Sequence, residues 1–392
     1  MTTKGGPRPW YRPMAARDRG EAHRAATPLE LFFDLCFVVA VAQAAANLHH
    51  DLAEDHVGHA VRSYLMVFFA IWWAWMNFTW FASAYDTDDD VYRITTLVQI
   101  AGALILAAGV PRAFTEGDFA TITYGYVVMR LALVTQWLRA AASDPAHRAA
   151  DVRYAVGVTV VQVGWLVRLL LPDDWRIGSF LVLALADLLV PALAERPGMT
   201  TWHPRHIAER YGLFTLIVLG EVVLATSVAI QTGVDAGEGG LWRLAVADMV
   251  IVFALWWLYF DREAEAPARL PASLVWGYGH YLVFAAVAAV GAGLEVVVDH
   301  HRHVAHAGSV VVGHTVAVPT AVYLLTVWVL RVLPRQRGVV VAAFPVTALL
   351  VLATPWAPVT LYLIAALLLA LVAVTVLARQ RELRSRSRPA VG

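Results

Sequence analysis

The chain has 392 residues, of which 59% are hydrophobic and only 15% are charged. Soluble domains contain about 45–50% apolar and about 25% charged residues, so this composition excludes a soluble protein and indicates a polytopic membrane protein. The 30 basic and 30 acidic residues balance, which excludes a globally basic nucleic-acid-binding protein. Cys36 is the only cysteine, which excludes a disulfide framework and a cysteine-based zinc site.

Apolar segments long enough to cross a bilayer recur along the whole chain. A membrane-spanning helix needs about 20 apolar residues, and backbone that faces lipid must satisfy its hydrogen bonds internally. The sequence predicts twelve such helices, at residues 29–48, 62–82, 93–112, 119–140, 152–171, 175–194, 207–230, 241–261, 276–297, 313–332, 338–354 and 358–378. We therefore predict an all-α polytopic membrane protein with about twelve transmembrane helices.

The basic residues predict the orientation of these helices. With the N-terminus inside, the cytoplasmic side holds Lys4 and 22 arginines, whereas the outer side holds six arginines. This asymmetry follows the positive-inside rule and places both termini in the cytoplasm, as basic tails at residues 1–28 and 379–392. A cleaved signal peptide is the alternative for the first apolar run. Asp34 within that run and the long polar segment before it argue against cleavage.

The two halves of the chain share a pattern. In each half a span opens on an acidic residue, a later span carries paired tryptophans, and the next opens on a tyrosine. These features stand at Glu30, Trp72-Trp73 and Tyr92, and again at Glu209, Trp256-Trp257 and Tyr278. Chance similarity among apolar helices is the alternative. We predict two parallel six-helix repeats, residues 29–200 and 207–378, with sites between the halves.

Several ionisable residues fall inside the predicted spans. Such a group costs roughly 2.5–3.5 kcal/mol near the bilayer centre, so it usually faces a partner or a water-filled path. Glu30 and Asp34 are four residues apart and share one face of the first span. Arg130 lies midway along the fourth span at a depth similar to that of Glu221. We predict that Arg130 pairs with Glu221 first and with Asp34 second.

These charges allow two interpretations, a static ion pair between helices or a site that handles protons or ions. The predicted transport or proton-coupling residues are Glu30, Asp34, Arg130, Glu209, Arg210 and Glu221. Asp187 and Asp248 stand nearer the helix ends, and we expect both to reach the membrane interface.

Two loops carry further polar clusters. Asp86, Asp88 and Asp89 follow the first tryptophan pair, and they could form a cation vestibule or a solvated loop. Eight histidines lie in two predicted outer loops, at His49, His50, His56, His59, His300, His301, His303 and His306. Imidazoles three residues apart can share a metal, but solvated loops are the favoured interpretation. We predict no metal and no cofactor.

Three stretches together resemble the bacterial low temperature requirement protein A family: residues 28–35 (PLELFFDL), 85–89 (YDTDD) and 209–221 (ERYGLFTLIVLGE). The resemblance covers about residues 26 to 380. The first and third motifs are specific, and the second alone would be weak. The resemblance implies a bacterial inner-membrane protein linked by the family name to growth in the cold. It supplies no activity and no catalytic residues, only the motif positions Glu30, Asp34, Asp86, Asp88, Glu209, Arg210 and Glu221.

The sequence contains no phosphate-binding glycine loop, no nucleophile elbow and no zinc-protease motif, so an enzyme is disfavoured. The leading hypothesis is a transporter or channel for a small solute or ion, with proton coupling. In it, Asp34 and Glu221 load and release a proton or cation while Arg130 compensates the empty site. The alternatives are a non-transporting stress or envelope protein and, less favoured, a membrane-embedded lipid-modifying enzyme. The partners predicted are the lipid bilayer and a small solute or ion; the oligomeric state stays open.

Overall fold

A computed structural model describes residues 9–18, 20–21, 24–235, 237, 241–262 and 266–386. Across these residues the protein is all-helical and has no strand. The helices are α1 (Pro28–Ala53), α2 (Val57–Tyr85), α3 (Asp90–Thr115), α4 (Ala120–Ser143), α5 (Arg148–Arg168), α6 (Arg176–Ala194), α7 (Pro204–Asp235), α8 (Leu241–Phe260), α9 (Leu270–His301), α10 (Ser309–Val327), α11 (Val339–Ala353) and α12 (Thr360–Arg386).

The twelve predicted spans correspond one for one to these twelve helices. In the part of the chain that the structure describes, eleven helices are long and apolar enough to cross a membrane. The exception is α4, which carries Arg130 and Arg139 among its apolar residues. The all-α polytopic architecture is thus confirmed. Of the two predicted basic tails, residues 1–8 and 387–392 lie outside the described residues, and α12 continues through the first part of the second tail.

Two compact units can be distinguished along the chain. The first holds the described residues of 1–44, 65–214 and 265–275, and the second holds those of 45–64, 215–264 and 276–392. Parts of α1, α2, α7 and α9 therefore belong to each unit. These units do not coincide with residues 29–200 and 207–378, and the two parallel repeats remain a prediction.

Helix α2 is buried along its middle, within the first unit. Every residue from Ile71 to Met76 is buried, including the bulky side chains of Trp72, Trp73 and Trp75. A helix buried over consecutive positions has no face left for solvent or lipid, so protein surrounds it on all sides at this level. This apolar run is therefore part of the protein core.

Helices α3 and α4 approach each other closely because small residues line their contact. A Cβ atom added at Gly125 of α4 would lie 2.6 Å from the backbone oxygen of Gly102 in α3, and one added at Gly102 would lie 2.8 Å from the oxygen of Gly125. Small residues at such positions let two helix backbones pack directly against each other in a membrane protein.

We expect Gly125→Ala to lower the free energy of unfolding by about 1–3 kcal/mol, because the new methyl group meets backbone that cannot rotate away. Gly178→Ala in α6 is the matched control, since a Cβ there has no neighbour within 4 Å. Unfolding of both variants in mixed detergent micelles measures the difference. Equal stability of the two variants would contradict the close packing of α3 on α4.

Candidate functional site

Two acidic residues at the start of α1 face an arginine of α7. Glu30, Asp34 and Arg210 are each completely buried. Arg210 Nε donates to Asp34 Oδ2 at 2.8 Å and Arg210 Nη2 donates to Asp34 Oδ1 at 2.5 Å, which is the two-point geometry that binds a carboxylate most firmly. Arg210 Nη1 lies 3.1 Å from Glu30 Oε1. One guanidinium therefore serves two carboxylates.

Glu30 is held by the start of its own helix and by a histidine. Its Oε2 accepts the backbone N–H of Thr27 at 2.8 Å, and its own N–H donates to Thr27 Oγ1 at 3.3 Å. This reciprocal pair is a capping box, which fixes the glutamate side chain at the first turn. His206, one turn before Arg210 on α7, brings Nε2 to 3.3 Å from Glu30 Oε1.

Asp34 has a third donor besides the two nitrogens of Arg210. The indole N–H of Trp75, in the buried part of α2, donates to Asp34 Oδ1 at 2.6 Å. Arg210 Nη2 also lies 3.4 Å from Thr79 Oγ1, one turn further along α2. Helices α1, α2 and α7 therefore all contribute to the binding of this one carboxylate.

Arg24, in the segment before α1, adds a second arginine to this cluster of charges. Arg24 donates to the backbone oxygens of Ala82, at 2.6 Å, and Ser83, and its Nη2 lies 3.5 Å from Glu30 Oε1 and 3.9 Å from Asp86 Oδ2. We call Arg24, Glu30, Asp34, Asp86, His206 and Arg210 the Arg210 network. All of its members lie in the first unit.

The loop between α2 and α3 adds the last acid of the Arg210 network. The Asp86 side chain is only 4% exposed, and Arg17 Nη1 lies 3.8 Å from its Oδ2. Burial and the negative charge of Glu30 raise the pKa of Asp86 from 3.8 to about 6, against the opposing effect of Arg24 and Arg17. Burial lowers the pKa of Arg24, while Glu30 counteracts this shift. Asp86 therefore titrates close to neutral pH.

We expect the stability of the protein to depend on pH through Asp86. Its pKa is higher in the folded chain, so its contribution is fully present below its unfolded value of 3.8 and is lost as the pH rises through about 6. The difference in unfolding free energy between wild type and Asp86→Asn should change by up to about 3 kcal/mol between about pH 4 and about pH 7. Thermal unfolding across this range measures it, with exposed Asp174→Asn as control. A constant difference would contradict the raised pKa.

Asp88 and Asp89 are each paired with an arginine close by. Asp88 Oδ1 accepts from Arg93 Nε at 2.7 Å. Asp89 caps α3 through the N–H of Tyr92 at 2.8 Å, accepts the backbone N–H of Arg12 at 2.7 Å, and is paired with Arg139. Each loop acid thus already has an arginine beside it, and this geometry gives the predicted cation vestibule no support.

Arg130 has other partners than those we predicted. Its Nη2 donates to the Tyr126 hydroxyl at 2.5 Å, and this hydroxyl donates to Asp187 Oδ2 at 3.2 Å. Asp187 also interacts electrostatically with Arg130 and accepts the indole N–H of Trp165 at 2.8 Å. The predicted pairing of Arg130 with Asp34 is wrong, because Arg210 holds both oxygens of Asp34.

The remaining predicted acids have other contacts or surroundings. Glu209 is exposed and accepts the backbone N–H of Ala26 at 3.2 Å. Glu221 belongs to the second unit, where it interacts electrostatically with Glu295. Asp187 and Asp248 are 3% and 1% exposed, so the expectation that they reach the interface was wrong: each is enclosed by packed helices.

His49 and His306, one from each predicted outer loop, lie beside acids within the second unit. His49 Nε2 lies 2.8 Å from Asp299 Oδ2, and His306 Nδ1 lies 2.8 Å from Glu54 Oε2. Among the described residues, no group of three or more His, Cys, Asp or Glu side chains could hold a metal. His306 remains largely exposed, with 72% of its side chain accessible to solvent, in keeping with a solvated loop.

Sequence reasoning missed three members of the site. His206 stands four residues before Arg210, and that spacing on one helix face could have revealed it. Arg24 and Trp75 gave no signal, because one lies in a polar segment and the other in a run of buried aromatics.

Residues 25–378 match the sequence profile of the bacterial low temperature requirement A protein (LtrA) family. The chain belongs to this family. The match spans Glu30, Asp34, Asp86, His206 and Arg210, so it includes all of the Arg210 network but Arg24. Together with its apolar helices, this membership identifies a multi-pass membrane protein of a bacterial family.

One curated relative of this LtrA chain is an uncharacterized protein of Rhizobium meliloti (strain 1021). The two are 26% identical over 269 residues, which cover 64% of this chain and 64% of the relative. The chain therefore spans less than two thirds of the length of that relative. The relative's name assigns it no activity.

Proposed function

We propose that this protein is a transporter or channel for a small solute or ion, coupled to protons through Glu30 and Asp34. The observation that carries the proposal is the completely buried Arg210, near the start of α7, which is shared between two completely buried acids near the start of α1. The inner bacterial membrane, with both termini in the cytoplasm, is the location we propose for it.

A purely structural role explains this arrangement poorly. A buried ion pair is often no more stabilising than well-packed apolar side chains of the same volume, because both charges must leave water. Ionisable residues within membrane helices are instead typical of ion and proton paths.

The proposed mechanism follows from the charge balance around Arg210. Protonation of Asp34 removes the two-point bond to Arg210, and the guanidinium then remains paired with Glu30 alone. Because Asp34 lies on α1 and Arg210 on α7, this step loosens one helix from the other. Arg210 thus takes the compensating role that the sequence suggested for Arg130. His206, 3.3 Å from Glu30, provides a second site that exchanges protons with the acids.

Flux in liposomes tests the proposal. Purified protein is reconstituted with an internal pH-sensitive dye, and potassium, sodium and pH gradients are imposed in turn. We expect a gradient-driven dye signal with the wild-type protein. In Glu30→Gln this signal should fall to the level of protein-free liposomes, because the side-chain amide of glutamine does not take up or release a proton as a carboxyl group does. Exposed Asp174→Asn is the matched control and should behave as wild type. A signal unchanged in Glu30→Gln would refute coupling through this acid. Flat traces for every gradient, from folded protein, would favour a non-transporting membrane protein.

A further inference from the structure

A small cavity lies among α2, α4, α5 and α6 in the first unit, and a buried arginine forms part of its wall. This arginine is Arg168, the last residue of α5, which is 6% exposed. Phe119, Thr123, Trp165 and Phe180 are among the other lining residues. The interior volume is about 20 Å³, which is room for one particle the size of a water molecule. The cavity shares no residue with the Arg210 network, so it is a separate site.

Arg168 carries a positive charge that no acid among the described residues balances. Its Nη2 donates to the backbone oxygen of Arg176 at 3.0 Å. The one charged side chain that interacts with Arg168 in the described part of the chain is that of Arg176, which repels it. Arg176 is itself paired with Asp173 at 2.6 Å, and the buried Asp187 interacts with Arg130 instead. A buried charge without a counter-ion is costly.

Three aromatic rings offset part of this cost. The central carbon of the Arg168 guanidinium lies 5.2 Å from the ring centre of Phe119, 5.7 Å from that of Phe180 and 5.9 Å from that of Trp165. Ring faces attract a cation, but they leave its N–H groups without an acceptor oxygen. Within the described residues, neither the buried Nε nor Nη1 of Arg168 has a hydrogen-bond partner. Two nitrogens of the guanidinium are therefore free to donate to a ligand.

Thr123 adds a neutral donor to the same wall. In a helix, a threonine hydroxyl commonly donates to the carbonyl one turn before it, as Thr95 and Thr159 do here. Thr123 is 5% exposed and lines the cavity, yet its hydroxyl has no hydrogen-bond partner in the part of the chain that the structure describes. An acceptor inside the cavity would give this hydroxyl a partner.

We infer that this cavity binds a single small inorganic anion, chloride, between the Arg168 guanidinium and the Thr123 hydroxyl. The described lining residues supply a positive charge and free donors and include no acid, and charged donors form the strongest hydrogen bonds to an anion. Chloride is only slightly larger than a water molecule, whereas sulfate and phosphate exceed the space. The inference goes beyond the proposed proton coupling and does not rest on it.

Chloride binding to the full-length protein in maltoside detergent tests the inference. Broadening of the chloride NMR line measures exchange between free and bound ions, and sodium gluconate keeps the ionic strength constant. Bromide and sulfate are the competing anions. The variants are Arg168→Gln, which removes the charge, and Thr123→Val, which removes the hydroxyl but keeps the shape. Arg243→Gln is the matched control, because Arg243 is exposed and also lies beside an aromatic ring, 5.4 Å from that of Trp242.

We expect the chloride line to broaden with the wild-type protein, and we expect bromide but not sulfate to reverse the broadening. Arg168→Gln should weaken chloride binding about tenfold or more, because it removes the charged hydrogen bonds to the anion. Thr123→Val should weaken binding by a smaller factor, and Arg243→Gln should bind as wild type. Circular dichroism checks that each variant is folded.

Three results would each overturn the inference: no broadening with folded wild-type protein, competition by sulfate as strong as that by bromide, or wild-type affinity in Arg168→Gln. If Arg168→Gln does not fold, Thr123→Val decides, since it leaves the arginine in place, and wild-type affinity in that variant would overturn the inference. Binding is measured without a gradient. Chloride binding without proton flux in liposomes would therefore keep this site and refute the proposed function, and proton flux without chloride binding would do the reverse.

Discussion

Arg210→Met is expected to lower the free energy of unfolding by about 3–5 kcal/mol, the largest stability effect that we predict for a single substitution. The substitution leaves Glu30 and Asp34 completely buried and removes the cation that both share. Trp75 can still donate to Asp34, but one neutral donor cannot replace a charged two-point bond. Detergent unfolding of purified protein, followed by circular dichroism, measures the loss.

A double variant separates lost pairing from lost packing. Asp34→Leu combined with Arg210→Met removes the unpaired acid together with the arginine, and we expect it to recover a large part of the stability, because an apolar pair of similar volume fills the space without buried charge. Arg153→Met is the control for loss of an arginine from an exposed position. If the double variant is no more stable than Arg210→Met, the loss has a cause other than the unpaired carboxylates.

Asp34→Asn is expected to reduce gradient-driven flux to the level of protein-free liposomes while the protein stays folded. Asparagine can accept hydrogen bonds from Trp75 and Arg210 through its one oxygen, so the helices remain in contact. It carries no negative charge and cannot take up a proton, so Arg210 keeps Glu30 as its acidic partner throughout. Reconstitution with a pH-sensitive dye measures the flux, and thermal unfolding of the same preparation checks the fold.

The conservative variant Asp34→Glu shows whether the loss of flux in Asp34→Asn comes from the missing acid or from altered packing of the side chain. It retains an acid within reach of Arg210, and we expect it to restore part of the flux despite its extra methylene group. Flux equal to that of wild type in Asp34→Asn would remove Asp34 from the proposed mechanism. Equal loss of flux in both variants would assign Asp34 a role in packing.

The twelve helices could be read from the sequence because an apolar run of membrane length is a local property of the chain. The shared face of Glu30 and Asp34 was equally accessible, since residues four apart on a helix always lie on one side. The candidate site itself was half predicted. The sequence singled out Glu30, Asp34 and Arg210, but it did not predict an ion-pair partner for Arg210.

The choice of partners required the tertiary structure. Counting residues along each span gives the depth of a charge, and depth favoured Arg130 as the partner of Glu221 first and of Asp34 second. The depth of a residue in the membrane does not determine which helices pack together or which of their faces are in contact. The packing of α1 and α2 against α7 brings Arg210 and Trp75 to Asp34, whereas Arg130 meets Tyr126 and the buried Asp187. Arg24 reaches Glu30 from a polar segment without periodicity, because only the folded chain returns it to the ends of α1 and α2.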